Sequence, residues 1–131
     1  RIVVSGTGTA TAALCAGGYD FNPNITTKTE LWNGSSWTEV GDLNTARYGL
    51  AASGTTTGAL VFGGGPGTKA VTEDWNGASW SEVADLNVAR VSLAGAGTLT
   101  SALAFGGYTT AAVASTEEWS GSSIASKVLT D

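Results

Sequence analysis

The sequence contains no histidine, no methionine, one cysteine and only two prolines. Without histidine, Ser-His-Asp and Cys-His catalysis are excluded, as are zinc and copper sites built on imidazole ligands. The single cysteine, Cys15, excludes a disulfide within the chain. Because it stands in the apolar run Ala13–Ala16, we expect it to be a small hydrophobic core residue.

Charge is also scarce: charged residues make up 13% of the chain, and the six lysines and arginines are scattered along it. Nucleic-acid binding needs a clustered basic patch, so we expect no nucleic-acid partner. No apolar run approaches the ~18 residues of a membrane-spanning helix, so we expect no membrane partner. The 42% of hydrophobic residues and the 19 glycines instead indicate a folded chain of strands and tight turns.

The sequence contains three copies of one repeat unit. The segment Arg47-Tyr48-Gly49-Leu50 returns 43 positions later as Arg90-Val91-Ser92-Leu93, and the chain opens on the related segment Arg1-Ile2-Val3-Val4. A repeat of this length indicates a supersecondary unit that stacks on copies of itself. The predicted units are 1–46, 47–89 and 90–131.

Two further signatures recur in the same register. A double glycine follows an apolar run in every unit, at 17–18, 63–64 and 106–107. An acidic-aromatic segment that ends in a turn follows it, at 30–34, 73–77 and 118–121. Repetition of this kind makes each unit structurally equivalent to the others.

Each unit contains four short strand-like runs, which we call strands A to D. In the middle unit they are predicted at 48–54, 58–63, 71–75 and 79–84. Asn76-Gly77 predicts a hairpin between C and D, because such a turn needs positive φ. Strand B, Ala59-Leu60-Val61-Phe62, is apolar on both sides, as is Leu103-Ala104-Phe105, which predicts burial on both faces of the sheet. Four strands in a repeat of about 40–50 residues are typical of a β-propeller blade.

These residues resemble the kelch repeat. That motif has a double glycine after strand B, an aromatic residue on strand C, a tryptophan on strand D and an arginine after it. The matching residues are Arg47, Gly63-Gly64, Trp75, Trp80 and Leu86 of the middle unit and Arg90 at the start of the next unit. The resemblance covers the whole chain, and its near-identical units are of the kind seen in bacterial and phage kelch-like arrays. The central domain of galactose oxidase has the same architecture. The resemblance implies an all-β propeller of four-stranded antiparallel blades, with three blades in this chain.

The chain departs from the family pattern at two kinds of position. Trp32, Trp75 and Trp119 stand where the family more often has tyrosine, and Ile124 replaces the tryptophan of strand D in the third unit. Galactose oxidase uses histidines and a Tyr–Cys pair on copper, so its activity is not implied for this chain. We expect no cofactor.

Three blades do not close a propeller, which usually has about four to eight. The two outer faces would carry apolar residues of the kind that neighbouring blades bury, such as Leu60, Phe62 and Trp75, and such patches drive association. We therefore expect two chains to join head to tail as a homodimer with six blades. The alternative is that the chain is a fragment of a longer kelch-repeat protein.

Carboxylates recur at matched positions, whereas a glycosidase needs one acid and one differently placed partner. No Asp-x-Asp-x-Asp loop for calcium is present either. We therefore predict no enzymatic activity, no catalytic residues and no metal site. The expected function is a non-enzymatic scaffold for protein interaction and self-assembly, with a carbohydrate-binding, lectin-like propeller as the alternative.

A ligand is expected on the face that carries the D–A and B–C loops, since antiparallel strands bring these loops to the same end. For the two arginines among the candidates, the competing expectation is that they bond one blade to the next. The candidate binding residues are Tyr19, Asp20, Phe21, Asn22, Arg47, Arg90 and Tyr108.

Overall fold

A computed structural model describes residues 1–20, 24–121 and 123–127 of the chain. These residues form three four-stranded sheets in which each strand pairs with the next in antiparallel fashion. The strands of blade 1 are β1 (Ser5–Gly8), β2 (Ala13–Ala16), β3 (Thr29–Trp32) and β4 (Trp37–Glu39). Those of blade 2 are β5 (Ala51–Gly54), β6 (Ala59–Phe62), β7 (Thr72–Trp75) and β8 (Trp80–Val83). Those of blade 3 are β9 (Ala94–Gly97), β10 (Ala102–Phe105), β11 (Thr116–Trp119) and β12 (Ile124–Lys127).

The predicted all-β architecture of three antiparallel blades is confirmed, and each sheet falls inside one predicted unit. The turn between strands C and D forms as expected. Gly77 takes a positive φ of 97°, and the Asn76 side chain accepts hydrogen bonds from the backbone N–H groups of Ala78 and Ser79. Within the described residues no helix is long and apolar enough to cross a membrane.

The blades stack face to face with their A strands innermost. Strand β5 lies against β1 on one side and against β9 on the other. Glycine, alanine and serine dominate the A strands, and their small side chains allow this close approach around a common axis. A Cβ added to Gly95 would lie 3.1 Å from Ala51 Cβ and from Ala52 O.

The hydrophobic core consists of two clusters, one in each seam between blades. Leu14 and Ala16 of blade 1 pack with Ala59, Val61 and Trp75 of blade 2. The second cluster repeats this arrangement one blade further along. Its main members are Leu60, Phe62, Ala102, Ala104 and Trp119.

Burial of strand B depends on the position of the blade. All four residues of β6 are buried, as predicted for the middle blade. In β10 only Ala102 and Ala104 are buried, whereas Leu103 and Phe105 point outward, so the expected burial on both faces is wrong there. In β2 the buried pair is the opposite one, Leu14 and Ala16. The reason is that the two outer blades each have a neighbour on one side only among the described residues.

Backbone hydrogen bonds join the blades near the axis. Ser92 N donates to Gly49 O at 2.7 Å, and Gly49 N donates to Val3 O at 3.2 Å. All three residues have left-handed backbone angles, with φ of 53° at Val3, 60° at Gly49 and 57° at Ser92. Left-handed conformations are costly for a β-branched residue such as valine, so this repeated geometry is imposed by the seam.

Candidate functional site

Blades 2 and 3 each contain a buried ion pair between an arginine and a glutamate, here called the arginine joint, that ties the loop end of the blade together. In blade 2, Arg47 donates to the carbonyl oxygens of Gly63 and Val71, both at 2.7 Å, and to Glu73 Oε2 at 2.7 Å. Both side chains of the ion pair are fully buried. Burial lowers the pKa of the Arg47 guanidinium, and the charge of Glu73 opposes this effect. Arg90 and Glu117 build the same joint in blade 3.

The glutamate of the joint also binds the preceding blade. Glu73 Oε1 accepts hydrogen bonds from Asn44 N at 2.7 Å and from Asn44 Nδ2 at 2.9 Å. Glu117 accepts in the same way from the backbone N–H groups that follow β8. In blade 1, Arg1 pairs with Glu30, but no other blade donates to Glu30 among the described residues, and its side chain remains 34% exposed.

The guanidinium groups of the two arginines fill neither expected role, whereas their backbone carbonyls do join adjacent blades. Arg47 and Arg90 have no exposed surface, so they do not line the loop face for a ligand. Their side chains bond within their own blade rather than across the seam. The link between blades runs instead through the glutamates and through the arginine carbonyls. Arg47 O accepts from Gly18 N at 2.7 Å, and Arg90 O accepts from Gly64 N at 2.9 Å.

Tyr19, Asp20 and Tyr108 lie at the predicted loop end, and their proposed ligand contacts stay a prediction. Tyr19 stacks on Tyr48 of the next blade with ring centroids 4.6 Å apart, and the hydrogen bond with Tyr48 raises the pKa of Tyr19. Asp20 is partly exposed, and Tyr108 is exposed at the outer end of blade 3. Phe21 and Asn22 lie outside the described residues.

The two open faces are the outward sides of blades 1 and 3, and of their exposed apolar residues only Tyr108 was among the sequence-based candidates. Trp37 is 50% exposed although its counterpart Trp80 is 5% exposed, and Phe105 is 37% exposed although its counterpart Phe62 is 1% exposed. These residues can be identified in the sequence, because they occupy the positions in the first and last units that match buried positions in the middle unit. The exposed large hydrophobic residues on these faces are Ile2, Val4 and Trp37 in blade 1 and Leu103, Phe105 and Tyr108 in blade 3.

Each open face carries a shallow groove. That of blade 1 measures about 460 Å³ and is lined by residues that include Val4, Cys15 and Trp37. That of blade 3 measures about 380 Å³ and includes Ala96 and Leu103. Cys15 is therefore only half-buried, contrary to the core position expected, and burial raises the pKa of its thiol. In the described part of the chain, no three Cys, Asp or Glu residues come together as metal ligands.

The fold defines the class: the chain has a β-propeller-like architecture of repeated four-stranded blades. It is similar in structure to the solved protein titled "Structure of YjhT", with a TM-score of 0.77 and 12% sequence identity. The alignment covers 95% of this chain and 45% of that one, so this chain spans less than half the length of its structural neighbour. No family model and no curated protein sequence matches the chain.

Proposed function

We propose that this chain is a self-assembling, kelch-type propeller scaffold that closes into a six-bladed ring with a second copy of itself. Blade 3 of each copy docks on blade 1 of the other. The proposal rests on one observation. The two open faces match, position by position, the two sides of the seam that joins blade 1 to blade 2 and blade 2 to blade 3. Six blades lie within the usual range for a closed propeller.

The side chains of the open faces are complementary by register. Leu103 and Phe105 occupy the positions of Leu60 and Phe62, which pack into the seam between blades 2 and 3. Ala13 and Cys15 of blade 1 occupy the positions of Ala102 and Ala104, which receive those two side chains. Large residues on one face therefore meet small residues on the other, and docking covers the exposed apolar surface.

The ends of the backbone hydrogen-bond chains match in the same way. Within the described residues, Val3 N and Ser92 O have no hydrogen-bond partner, and in a second copy these groups continue the sequence from Ser92 to Gly49 to Val3. Gly107 N likewise has no acceptor, and Arg1 O of the second copy takes the place that Arg47 O and Arg90 O have in the internal seams. Each closing seam thus gains two main-chain bonds.

The first glycine of each double glycine supports the same arrangement. A Cβ on Gly17 would lie 3.1 Å from Leu50 Cδ2, and one on Gly63 would lie 3.1 Å from Leu93 Cδ2. Among the described residues, none of another blade lies against Gly106 in this way. Val4 of a second copy, at the position of Leu50 and Leu93, fills that place.

A scaffold role without catalysis accords with how the recurring carboxylates are used. Glu73 and Glu117 are buried in ion pairs that hold the loop ends, and each also accepts hydrogen bonds from the preceding blade. A carboxylate with this many fixed partners is not available to act as a general acid or base. The rigid loop end is then the surface on which a protein or glycan ligand would be held.

The mass in solution tests the proposal. Sedimentation equilibrium over a dilution series should give twice the chain mass of 13.1 kDa at high concentration and the single-chain mass on dilution. A closed ring predicts that association stops at the dimer, because both copies then use both faces. A folded monomer at all concentrations would overturn the proposal, and a continuous ladder of larger oligomers would overturn ring closure.

A further inference from the structure

One polar contact distinguishes the first internal seam from the second. In the seam between blades 1 and 2, the indole Nε1 of Trp80 donates a hydrogen bond to Thr29 Oγ1 at 2.9 Å. Both residues are buried. The tryptophan begins strand D of one blade, and the threonine begins strand C of the preceding blade.

The second seam lacks this hydrogen bond. Thr72 begins β7 at the position of Thr29, but the residue that faces it by register is Ile124, which carries no donor. Thr72 Oγ1 is accordingly buried without a hydrogen-bond partner. An unpaired buried hydroxyl is unfavourable, so we expect the second seam to be less stable than the first.

Thr116 repeats the threonine position in blade 3, on the open face. It is 5% exposed, and its Oγ1 is buried with no hydrogen-bond partner in the described part of the chain. It pairs across the sheet with Phe105, just as Thr72 pairs with Phe62, so its side chain lies on the outward side of the blade.

Trp37 is a matching donor on the open face of blade 1. It begins β4, at the position of Trp80, and no described residue accepts a hydrogen bond from its indole N–H. The indole N–H groups of the C-strand tryptophans all donate to carbonyl oxygens of their own A–B loops, and that of Trp80 donates to Thr29. Among the described residues, Trp37 is therefore the tryptophan whose indole N–H has no acceptor. The bonds to the A–B loops join Trp32 to Ala10, Trp75 to Thr56 and Trp119 to Leu99.

We propose that Trp37 Nε1 of one copy donates a hydrogen bond to Thr116 Oγ1 of the second copy, and that this bond fixes the direction and register of ring closure. The inference rests on the proposed function and names the contact that selects its partner. Docking blade 1 on blade 1 would bring together two indole N–H donors with no acceptor, and docking blade 3 on blade 3 would leave both Trp37 indoles outside the interface. Only the head-to-tail arrangement satisfies both groups.

The neighbouring side chains leave room for this bond. Phe105 lies beside Thr116 where blade 1 has the smaller Ala16 beside Thr29. The opposing residue on the second copy is Cys15, which is smaller than Val61 at the same position in the first seam. Phe105 can therefore pack toward Cys15, as Phe62 packs with Ala104, and leave Thr116 to Trp37.

A double-mutant cycle on the dimer dissociation constant tests the contact, using Trp37→Phe, Thr116→Val and the double variant of the full chain. Each single substitution should weaken the dimer by about five- to tenfold, because it removes the hydrogen bond that forms on dimerisation. The double variant should be weaker than wild type by far less than the product of the two effects. Thr72→Val is the matched control: it removes the same hydroxyl from an internal seam and should leave the dimer affinity unchanged.

The results separate this contact from ring formation itself. If the wild-type chain dimerises but the two effects simply multiply, or Thr116→Val is as silent as Thr72→Val, the contact is wrong and the ring stands. If the wild-type chain is monomeric at every concentration, both are overturned. Hydrogen exchange of the Trp37 indole, followed by NMR, gives an independent check: exchange should slow on dimerisation in wild type and remain fast in Thr116→Val at equal dimer occupancy.

Discussion

At the scale of single residues, the arginine joints show how one charged pair can hold two blades. Arg47 orders the loop end of its own blade, and Glu73 uses its second oxygen to bind Asn44 of the blade before it. A buried ion pair gains little over an apolar contact of equal size, but it is costly to break. The pair therefore fixes the geometry of the seam more than it adds to stability.

We predict that Glu73→Gln lowers the free energy of unfolding by about 3 kcal/mol, because it leaves the buried Arg47 guanidinium without a counter-charge. Glu30→Gln is the matched control: the same joint in blade 1 is partly exposed, so its loss should cost less than about 1 kcal/mol. Urea denaturation followed by tryptophan fluorescence measures both values. Equal losses in the two variants would contradict a role for burial.

The role of these arginines could not be derived from the sequence, although their recurrence was evident. Arg47 and Glu73 lie 26 positions apart, and their contact depends on the register between the D–A segment and strand C. A repeated arginine is compatible with a ligand site, a bond between blades or a bond within one blade. Only the pairing of strands distinguishes these arrangements.

At the scale of the strand, position in the array decides what the same pattern does. Leu60 and Leu103 occupy one register position in consecutive blades, yet Leu60 is fully buried and Leu103 is 39% exposed. Strand locations were predictable from sequence, because turn residues and apolar runs are local signals. Which face of a strand is covered was not, because it depends on the neighbouring blade rather than on the strand.

The matched pair Leu60→Glu and Leu103→Glu tests this difference. Leu60→Glu places an unpaired carboxylate in the inner seam and should unfold the chain or lower its stability by more than about 3 kcal/mol. Leu103→Glu should leave the monomer folded, with a circular dichroism spectrum like that of wild type, and abolish the dimer. A Leu103→Glu chain that still dimerises with wild-type affinity would argue against blade 3 as the docking face.

At the scale of the whole molecule, the three blades form an arc whose ends carry its most exposed apolar side chains. A small protein normally buries such residues or uses them in an interface. The sequence predicted the three-bladed arc, since the repeats are evident. It did not predict which residues would complete it, because that requires knowing which side of each outer blade is already occupied.

Thermal unfolding should reveal assembly without any substitution. Because a dimer binds its second copy only in the folded state, the midpoint Tm should rise with protein concentration by mass action. Differential scanning calorimetry over a hundredfold concentration range measures this dependence. Leu103→Glu should remove it, and a wild-type Tm that does not vary with concentration would count against association.

The sharing of Glu73 between two blades has a further effect on folding. When blade 1 detaches, blade 2 loses two donors to a buried anion, and blades 2 and 3 are therefore electrostatically incomplete without the preceding blade. Arrays of this type behave as nearest-neighbour chains in which interface terms outweigh the intrinsic stability of one repeat. Melting should accordingly spread from one blade to the next as a single event, since no blade is a self-sufficient folding unit.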